Sequence, residues 1–273
     1  MKQPASSTLS EKDLLKILQS RKYRGLDLPL STLQDIAEKE ALRGIPPKEL
    51  EKAVREKLHQ LVAPYLGDPD YAAESTRLSS LPAGDSTALR EWCQGVLSCH
   101  ASTRERIPML DKFYQLIFTQ IGMTKSILDV ACGLNPFSLP WMPDSASFQY
   151  IAYDLHLPRV QLINQFFEKI GYPGRAIQQD ISIYPPEFEA DTAFFFKEAH
   201  RFEARQRGSS RILFERLQVR WIVVTLPAYN LTAQHPMRER QRALIEKSVS
   251  GTSWMIEERE IGGEMIFFIR KNG

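Results

Sequence analysis

Residues 126–137 have the sequence SILDVACGLNPF, in which a short apolar run contains an aspartate and passes into a glycine turn. A short apolar run bounded by turn signals predicts a buried strand, here at residues 126–130. The turn lacks the G-x-G-x-x-G pattern of dinucleotide-binding folds, which disfavours an NAD-dependent enzyme. By themselves, Asp129 and Gly133 are equally typical of an ordinary strand-to-helix connection, so their meaning depends on the rest of the chain.

Strands and helices alternate on the C-terminal side of this turn. Further strands are predicted at residues 150–154, 176–180, 192–196 and 221–225, followed by a closing hairpin at 253–259 and 265–269. The helices predicted between them are 158–170, 197–217 and 237–248. This alternation predicts an α/β fold with a parallel, doubly wound sheet, in which a ligand lies beyond the carboxyl ends of the strands.

The N-terminal side of the turn is predicted to be helical. Apolar residues recur at helical spacing in segments at 11–20, 31–37, 47–62, 87–99 and 107–118. Residues 67–86, rich in Asp, Pro, Ser and Gly, predict a loop or a loose connector. We therefore divide the chain into a helical domain, residues 1–105, and a sheet-containing domain, residues 106–273.

Length and composition exclude several classes of protein. The chain has 273 residues, of which 43% are hydrophobic and 25% charged, the balance of a globular protein rather than a disordered or fibrous one. No apolar run approaches the roughly 18 residues of a membrane-spanning helix, and the N-terminus has no apolar signal-peptide core. Three cysteines without a C-x-x-C pair disfavour a disulfide framework and a zinc site. We expect a cytoplasmic protein with no metal and no membrane association.

The net charge of +2 conceals two basic blocks. Residues 1–60 carry 12 Lys and Arg against 9 Asp and Glu, and residues 197–247 carry 11 against 5. Nine of the cations in the second block are arginines, the residue best suited to bidentate phosphate contact. A single arginine is more typical of a solvated helix face, but the block as a whole favours an anionic partner.

Aspartates lie at or near the ends of three successive predicted strands. Asp129 is in the first, Asp154 ends the second and Asp180 ends the third. A carboxylate in the second position can accept hydrogen bonds from ribose hydroxyls, and one in the third from an adenine amino group. Each aspartate alone is more typical of a cap or turn, but together they favour an adenosine-containing ligand. An acid in the first turn suits S-adenosylmethionine (SAM) better than a nucleotide, because a carboxylate repels a pyrophosphate.

Several strings of residues together resemble one enzyme family. They are HASTRER (100–106), Phe113-Tyr114, ACGLNP (131–136), Lys197 and EARQRG (203–208). These strings resemble the 16S rRNA guanine-N7 methyltransferases that confer aminoglycoside resistance, and the match covers nearly the whole chain. The resemblance implies a Rossmann-like class I SAM-dependent methyltransferase domain, preceded by an N-terminal α-helical domain that docks on the 30S subunit.

The same resemblance implies the site residues. Arg106 holds the methionine carboxylate, Gly133 lines the SAM turn, Asp154 binds ribose and Asp180 lies by the adenine. Asp129 and Ile181 complete the predicted cofactor-binding set, with no metal. Lys197 corresponds to the lysine at the target-base side.

We expect both basic blocks to contact 16S rRNA, largely through shape and phosphate groups. The predicted RNA-binding residues are Lys52, Arg55, Lys57, His59, Arg201, Arg205 and Arg207. The protein is expected to act as a monomer.

Methylation of guanine N7 needs no general base, since N7 carries a lone pair and no proton. Catalysis then consists of holding N7 in line with the methyl group, and Lys197 is expected to position the target through a phosphate or a base carbonyl. The target lies in a structured helix, so we expect the base to be extruded into the site. Phe137, Trp141 and Tyr229 are candidates to stack on it.

Three other functions are alternatives for this sequence. A SAM-dependent enzyme acting on a small molecule would have the same aspartates, although the arginine block argues against it. An enzyme that methylates the neighbouring adenine at N1 is a second alternative. A non-catalytic RNA-binding protein is the third, and absence of SAM binding would favour it.

Overall fold

A computed structural model describes residues 9–63, 67–143, 148–229 and 237–271. The described chain begins with a series of helices and continues into a seven-stranded sheet that is covered by helices on both faces. Within these residues no helix combines the length and the apolar character needed to cross a membrane.

Seven α-helices precede the sheet in the described residues. They are α1 (Glu11–Leu18), α2 (Leu30–Leu42), α3 (Pro47–Val62), α4 (Tyr71–Ser80), α5 (Ser86–Leu97), α6 (Ala101–Arg104) and α7 (Leu110–Ile121). Helices α1, α4 and α5 begin at a capping side chain. Gly122 ends α7 with φ +71°, a conformation in which glycine avoids the strain of a side chain.

Helix α4 corrects the prediction of a loop at residues 67–86. The carboxylate of Asp70 caps it by accepting from the backbone N–H of Ala73 at 3.0 Å. Leu78, 2% exposed, anchors the helix in the core. The polar composition suggested a loop, but one buried leucine and a good cap stabilise a helix here.

The helices before the sheet belong to two different apolar cores. Helices α1, α2 and α3 form a core of their own, which includes Ile17, Leu33, Val54 and Leu58. Helices α4 and α5 instead contribute side chains to the larger core that packs on one face of the sheet. The domain boundary at residues 105 and 106 stays a prediction.

The sheet confirms the predicted α/β fold. Its strands are β1 (Ser126–Val130), β2 (Gln149–Asp154), β3 (Arg175–Gln178), β4 (Ala190–Phe196), β5 (Val219–Pro227), β6 (Met255–Ile261) and β7 (Glu264–Arg270). Their order is β3-β2-β1-β4-β5-β7-β6. The first five strands are parallel, and the predicted hairpin of β6 and β7 adds antiparallel strands at one edge.

The remaining helices cover the sheet. They are α8 (Leu157–Lys169), α9 (Ala199–Arg205), α10 (Ser209–Arg216) and α11 (Arg238–Val249). A single helical stretch was predicted at residues 197–217, but Gly208, with φ +80°, separates it into α9 and α10. Alternate residues of β1 face opposite layers, since Ile127 lies in one core and Leu128 in the other.

Candidate functional site

The predicted acidic residues lie at the carboxyl edge of the parallel strands. Asp129 lies in β1, Asp154 ends β2 and Asp180 follows β3 by two residues. Lys197 comes directly after β4. Parallel strands bring these positions to one edge of the sheet.

The turn after β1 has an unusual backbone. Ala131 and Gly133 have φ values of +53° and +54°. The N–H of Gly133 donates to Asp154 Oδ2 at 2.9 Å, which joins the turn to the end of β2. A Cβ on Gly133 would meet nothing closer than His100 Nδ1 at 3.9 Å. Glycine is therefore favoured at position 133 by the left-handed backbone conformation, and not because a side chain would collide with its neighbours.

Asp154 is a buried carboxylate that accepts hydrogen bonds on both oxygens. Its oxygens accept from the backbone N–H groups of Gly133 and His156, at 2.9 and 3.0 Å. The guanidinium of Arg159 donates to both oxygens, at 2.8 and 2.9 Å. Burial acts to raise the pKa of Asp154, but Arg159 and the other donors outweigh it and hold the pKa below its usual value.

Asp180 is engaged in a similar way. Arg205 donates to its two oxygens at 3.1 and 2.9 Å, and the Thr32 hydroxyl of α2 donates to Oδ2 at 3.0 Å. Arg205 also contacts Asp35 of α2 at 3.1 Å. Burial opposes ionisation of Asp180, yet Arg205 keeps its pKa below the usual value. This carboxylate therefore links the end of β3 directly to the N-terminal helices.

Asp129 differs from the other two aspartates. Its Oδ2 accepts from the Tyr150 hydroxyl at 2.5 Å and from the Asn135 amide at 2.9 Å. Its Oδ1 is buried and has no hydrogen-bond partner among the residues described. Burial raises the pKa of Asp129 to about 7 despite these two donors. A buried acceptor without a donor is unusual in a folded protein, and it marks Asp129 Oδ1 as a candidate to accept a hydrogen bond from a ligand.

Arg106 forms a buried ion pair with Glu264 and lies beside Asn135. It donates to both carboxylate oxygens of Glu264, with Nε at 3.0 and 2.9 Å, and to the Thr225 hydroxyl at 3.0 Å. The guanidinium also lies 4.8 Å from the ring centroids of Phe113 and Phe196. Arg106 is 2% exposed. Its charge is therefore compensated within the protein.

Sequence reasoning missed Glu264. The residue is 4% exposed and begins the apolar strand EMIFFI, where a glutamate is out of place. That single acid at the start of a buried strand was the available signal. Its partner Arg106 lies 158 positions earlier in the chain.

Lys197 shares the same carboxylate. Its Nζ donates to Glu105 Oε2 at 2.6 Å and lies 3.4 Å from Glu264 Oε2. Lys197 has φ +58°, in a left-handed region that non-glycine residues rarely adopt. Such strain is typical of functional positions, where the surrounding structure holds the backbone.

A cavity of about 760 Å³ lies between the N-terminal helices and the strand ends. Asp154, Asp180 and Ile181 line it from the sheet. Four of the predicted RNA-binding residues also line it, namely Lys57, Arg201, Arg205 and Arg207. The two basic blocks therefore meet at one cavity, although they are more than 100 positions apart in the chain.

The predicted RNA-binding residues differ in their availability. Arg207 and Lys52 are exposed, whereas the guanidinium of Arg205 is bound to Asp35 and Asp180 and its side chain is only 17% exposed. The structure thus gives Arg205 an internal ion pair, and its contact with RNA stays a prediction. Arg55 pairs with Glu51 of its own helix at 2.9 Å.

The three residues predicted to stack on a base differ in their exposure. Phe137 is 0% exposed and Trp141 is 7% exposed, so both are core residues rather than a stacking surface. Tyr229 is 38% exposed and stacks with Arg238, whose guanidinium lies 4.4 Å from the ring centroid. In the part of the chain that the structure describes, no cluster of three His, Cys, Asp or Glu side chains could hold a metal ion.

Comparisons with known proteins identify relatives of the whole chain. The family model described as "Ribosomal RNA methyltransferase (FmrO)" matches residues 19–269. The chain is similar to the 16S rRNA (guanine(1405)-N(7))-methyltransferase of Micromonospora rosea, with 32% identity over 235 residues and 85% of each chain covered. It is 29% identical over 270 residues to the enzyme of the same name from Proteus mirabilis, with 94% of this chain and 95% of the relative covered.

A solved structure extends this similarity to the fold. The 16S rRNA methyltransferase RmtF, in complex with S-adenosyl-L-homocysteine, has a TM-score of 0.81 and 26% identity to this chain. The match covers 99% of this chain and 100% of the RmtF chain. The helices before the sheet are thus part of the shared architecture.

Proposed function

The chain belongs to the ribosomal RNA methyltransferase (FmrO) family, and we propose that it transfers a methyl group from SAM to N7 of guanine 1405 in 16S rRNA, as its relatives are named to do. The observation that carries the proposal is the row of buried aspartates at the strand ends, beside a cavity that both basic blocks line. Methylation in the aminoglycoside-binding decoding site gives the cell aminoglycoside resistance.

The residues at the strand ends fit SAM. The buried Oδ1 of Asp129 offers an acceptor to an ammonium group, and Arg106, 3.3 Å from Asn135, lies at the same end of the sheet, where Glu264 compensates its charge before a ligand carboxylate binds. We assign Arg106, Asp129 and Gly133 to the methionine part of SAM, and call these residues with Lys197 and Glu264 the methionine end. Asp154, Asp180 and Ile181 are assigned to ribose and adenine, and with Arg159 and Arg205 they form the adenosine end.

SAM, when bound, supplies an electrophilic methyl group. The chain itself holds the two reactants in line, because guanine N7 has a free lone pair and loses no proton in the reaction. Lys197 is suited to orient the target, since Glu105 and Glu264 hold its ammonium at the methionine end. Its role is contact with a phosphate or a base carbonyl, because a cation close to N7 opposes the charge that the base acquires.

The N-terminal helices supply the means to recognise a folded RNA. Lys52 and Lys57 of α3 carry positive charge toward solvent and toward the cavity. We infer that the enzyme acts as a monomer on the 30S subunit in the cytoplasm, where 16S rRNA is assembled. Base extrusion brings the guanine from its helix into the site.

Mapping of the methylated nucleotide tests the reaction. Incubation of 30S subunits with the protein and SAM, followed by mass mapping of 16S rRNA, is expected to place one new methyl at N7 of the decoding-site guanine. Lys197→Ala should lower the rate about 100-fold and leave affinity for S-adenosylhomocysteine unchanged, whereas the exposed Lys125→Ala serves as a matched control. A methyl on adenine N1, or methylation of small molecules only, would contradict the proposal.

Charge reversal tests the docking surface separately. Lys52, with 81% of its side chain exposed, is a suitable position, and Lys52→Glu is expected to weaken 30S binding several-fold with a shallower salt dependence. Lys112→Glu, an exposed change on α7, is the control. Binding of S-adenosylhomocysteine should be unaffected in both, and equal 30S affinity of the two variants would remove α3 from the docking surface.

A further inference from the structure

Arg159 is a fully buried arginine that joins two carboxylates from distant parts of the chain. It lies in the first turns of α8 and is 1% exposed. One terminal nitrogen donates to both oxygens of Asp154, at 2.8 and 2.9 Å. The other donates to both oxygens of Asp68, at 2.8 and 3.0 Å, and Nε donates to the Tyr71 hydroxyl at 3.0 Å.

Asp68 lies in the connection between α3 and α4, 91 positions before Arg159. His156 Nδ1 lies 3.0 Å from its Oδ2, and His100 Nε2 contacts its Oδ1. Burial acts to raise the pKa of Asp68, but the two histidines and Arg159 hold it far below its usual value. The N-terminal helices are thus tied by a charge network to the carboxylate at the end of β2.

The position of Arg159 fixes both the orientation and the ionisation of Asp154. With the backbone N–H groups of Gly133 and His156, Arg159 supplies the donors that hold both oxygens of the carboxylate. Other groups that act on Asp154 are the imidazole of His156, which favours its ionised form, the thiol of Cys132, 4.0 Å away, and the carboxyl of Asp129. Without Arg159, burial and the proximity of Asp129 favour the protonated form.

We propose that Arg159 is a positioning residue for the cofactor, which orients Asp154 toward the ribose and ties it through Asp68 to the N-terminal helices. The inference rests on the proposed assignment of Asp154 to ribose. A buried guanidinium can hold two carboxylates at once because its donors form a planar fork, which a lysine ammonium lacks. A substitution at Asp68 is therefore expected to change cofactor affinity, because it removes one of the two carboxylates that hold Arg159 against Asp154.

Calorimetric binding of S-adenosylhomocysteine to the full-length chain tests this role. Arg159→Met is expected to lower affinity about 10-fold or more, with the deficit relative to wild type shrinking as the pH is raised and Asp154 ionises. Arg159→Lys retains the charge but lacks the planar fork, so its affinity should lie between those of wild type and Arg159→Met, with a weaker dependence on pH than Arg159→Met shows. Arg77→Met, an exposed arginine of α4, is the control. With saturating SAM, kcat on 30S subunits should change little, since only the cofactor contact is lost.

A second variant keeps the test decisive if Arg159→Met does not fold. Asp68→Asn preserves shape, and the loss of one of the two anchors of Arg159 is expected to reduce affinity for S-adenosylhomocysteine about 3-fold or more. Wild-type affinity in Asp68→Asn, together with a pH-independent affinity in every folded Arg159 variant, would overturn the positioning role. Failure of the wild-type protein to bind S-adenosylhomocysteine is a different result, which would overturn the proposed function itself.

Discussion

The adenosine end and the methionine end use the same residue type with opposite electrostatic results. Asp154 and Asp180 each face an arginine, and their pKa values lie below the usual value. Asp129 lies at the same sheet edge, but burial raises its pKa to about 7, because its hydrogen-bond donors Tyr150 and Asn135 are neutral and, together with the nearby Arg106, do not outweigh the burial. The order of the parallel strands thus brings the three carboxylates to one edge of the sheet. The presence or absence of a bound arginine distinguishes the charged carboxylates from Asp129 before SAM binds.

The largest effect is expected from removal of the arginine at the methionine end. Arg106→Met leaves the buried Glu264 without its main counter-charge, and the free energy of unfolding should fall by about 3–5 kcal/mol. Urea unfolding measures this change, with Arg104→Met, an exposed arginine two positions earlier, as the control. The double variant Arg106→Met with Glu264→Leu should recover much of the stability, and failure to recover it would show that the ion pair is not the cause.

A smaller effect is expected from Arg205 at the adenosine end, because its side chain, 17% exposed, is less buried than that of Arg106. Arg205→Met removes the bonds to Asp180 and Asp35, and should destabilise the fold by about 1.5–3 kcal/mol at pH 7. The pKa of Asp180 lies below its usual 3.8, so its stabilising contribution is present above that pH and is lost as the pH falls through the lower folded value. The difference in stability between variant and wild type should therefore shrink as the pH falls below 3.8.

Arg207→Met, an exposed change two positions away, is the control for this comparison. If Arg205 served RNA rather than the ion pair, Arg205→Met would keep wild-type stability and lose only affinity for the 30S subunit. That result would contradict the claim that an arginine ion pair stabilises the adenosine end.

The sequence was sufficient to predict the strands and the acidic residues at their ends, because short apolar runs and turn signals are local features. It did not reveal the partners of those residues. Arg159 was counted as part of a helix, Arg205 was expected at the RNA surface, and Glu264 went unnoticed, since each acts through a contact that only the tertiary structure creates. Helix α4 escaped prediction for a related reason, because the burial of Leu78 outweighs the polar composition.

A further and smaller effect concerns the turn that joins the two ends. Gly133 has φ +54°, and a Cβ there would make an ordinary contact with His100 Nδ1 at 3.9 Å, so Gly133→Ala should cost about 1–2 kcal/mol through backbone strain. Gly95→Ala, in the exposed face of α5 with no atom within 4 Å of the Cβ position, should instead stabilise the protein by up to about 1 kcal/mol. Neither site is crowded, so thermal unfolding of the two variants measures the cost of the left-handed backbone at Gly133, and equal effects of the same sign would contradict this explanation.

Proton release on binding tests most directly the claim that the two ends differ in charge. With a pKa of about 7, above the usual 3.8, Asp129 loses its proton only as the pH rises through neutrality, and the folded protein without ligand loses stability between these pH values. An ammonium group bound at Oδ1 favours the ionised form, so S-adenosylhomocysteine should displace about half a proton from Asp129 at pH 7. Calorimetry in two buffers of different ionisation enthalpy measures this number. The account predicts that wild type releases more protons than Asp129→Asn by about that amount, and equal release by the two proteins would contradict it.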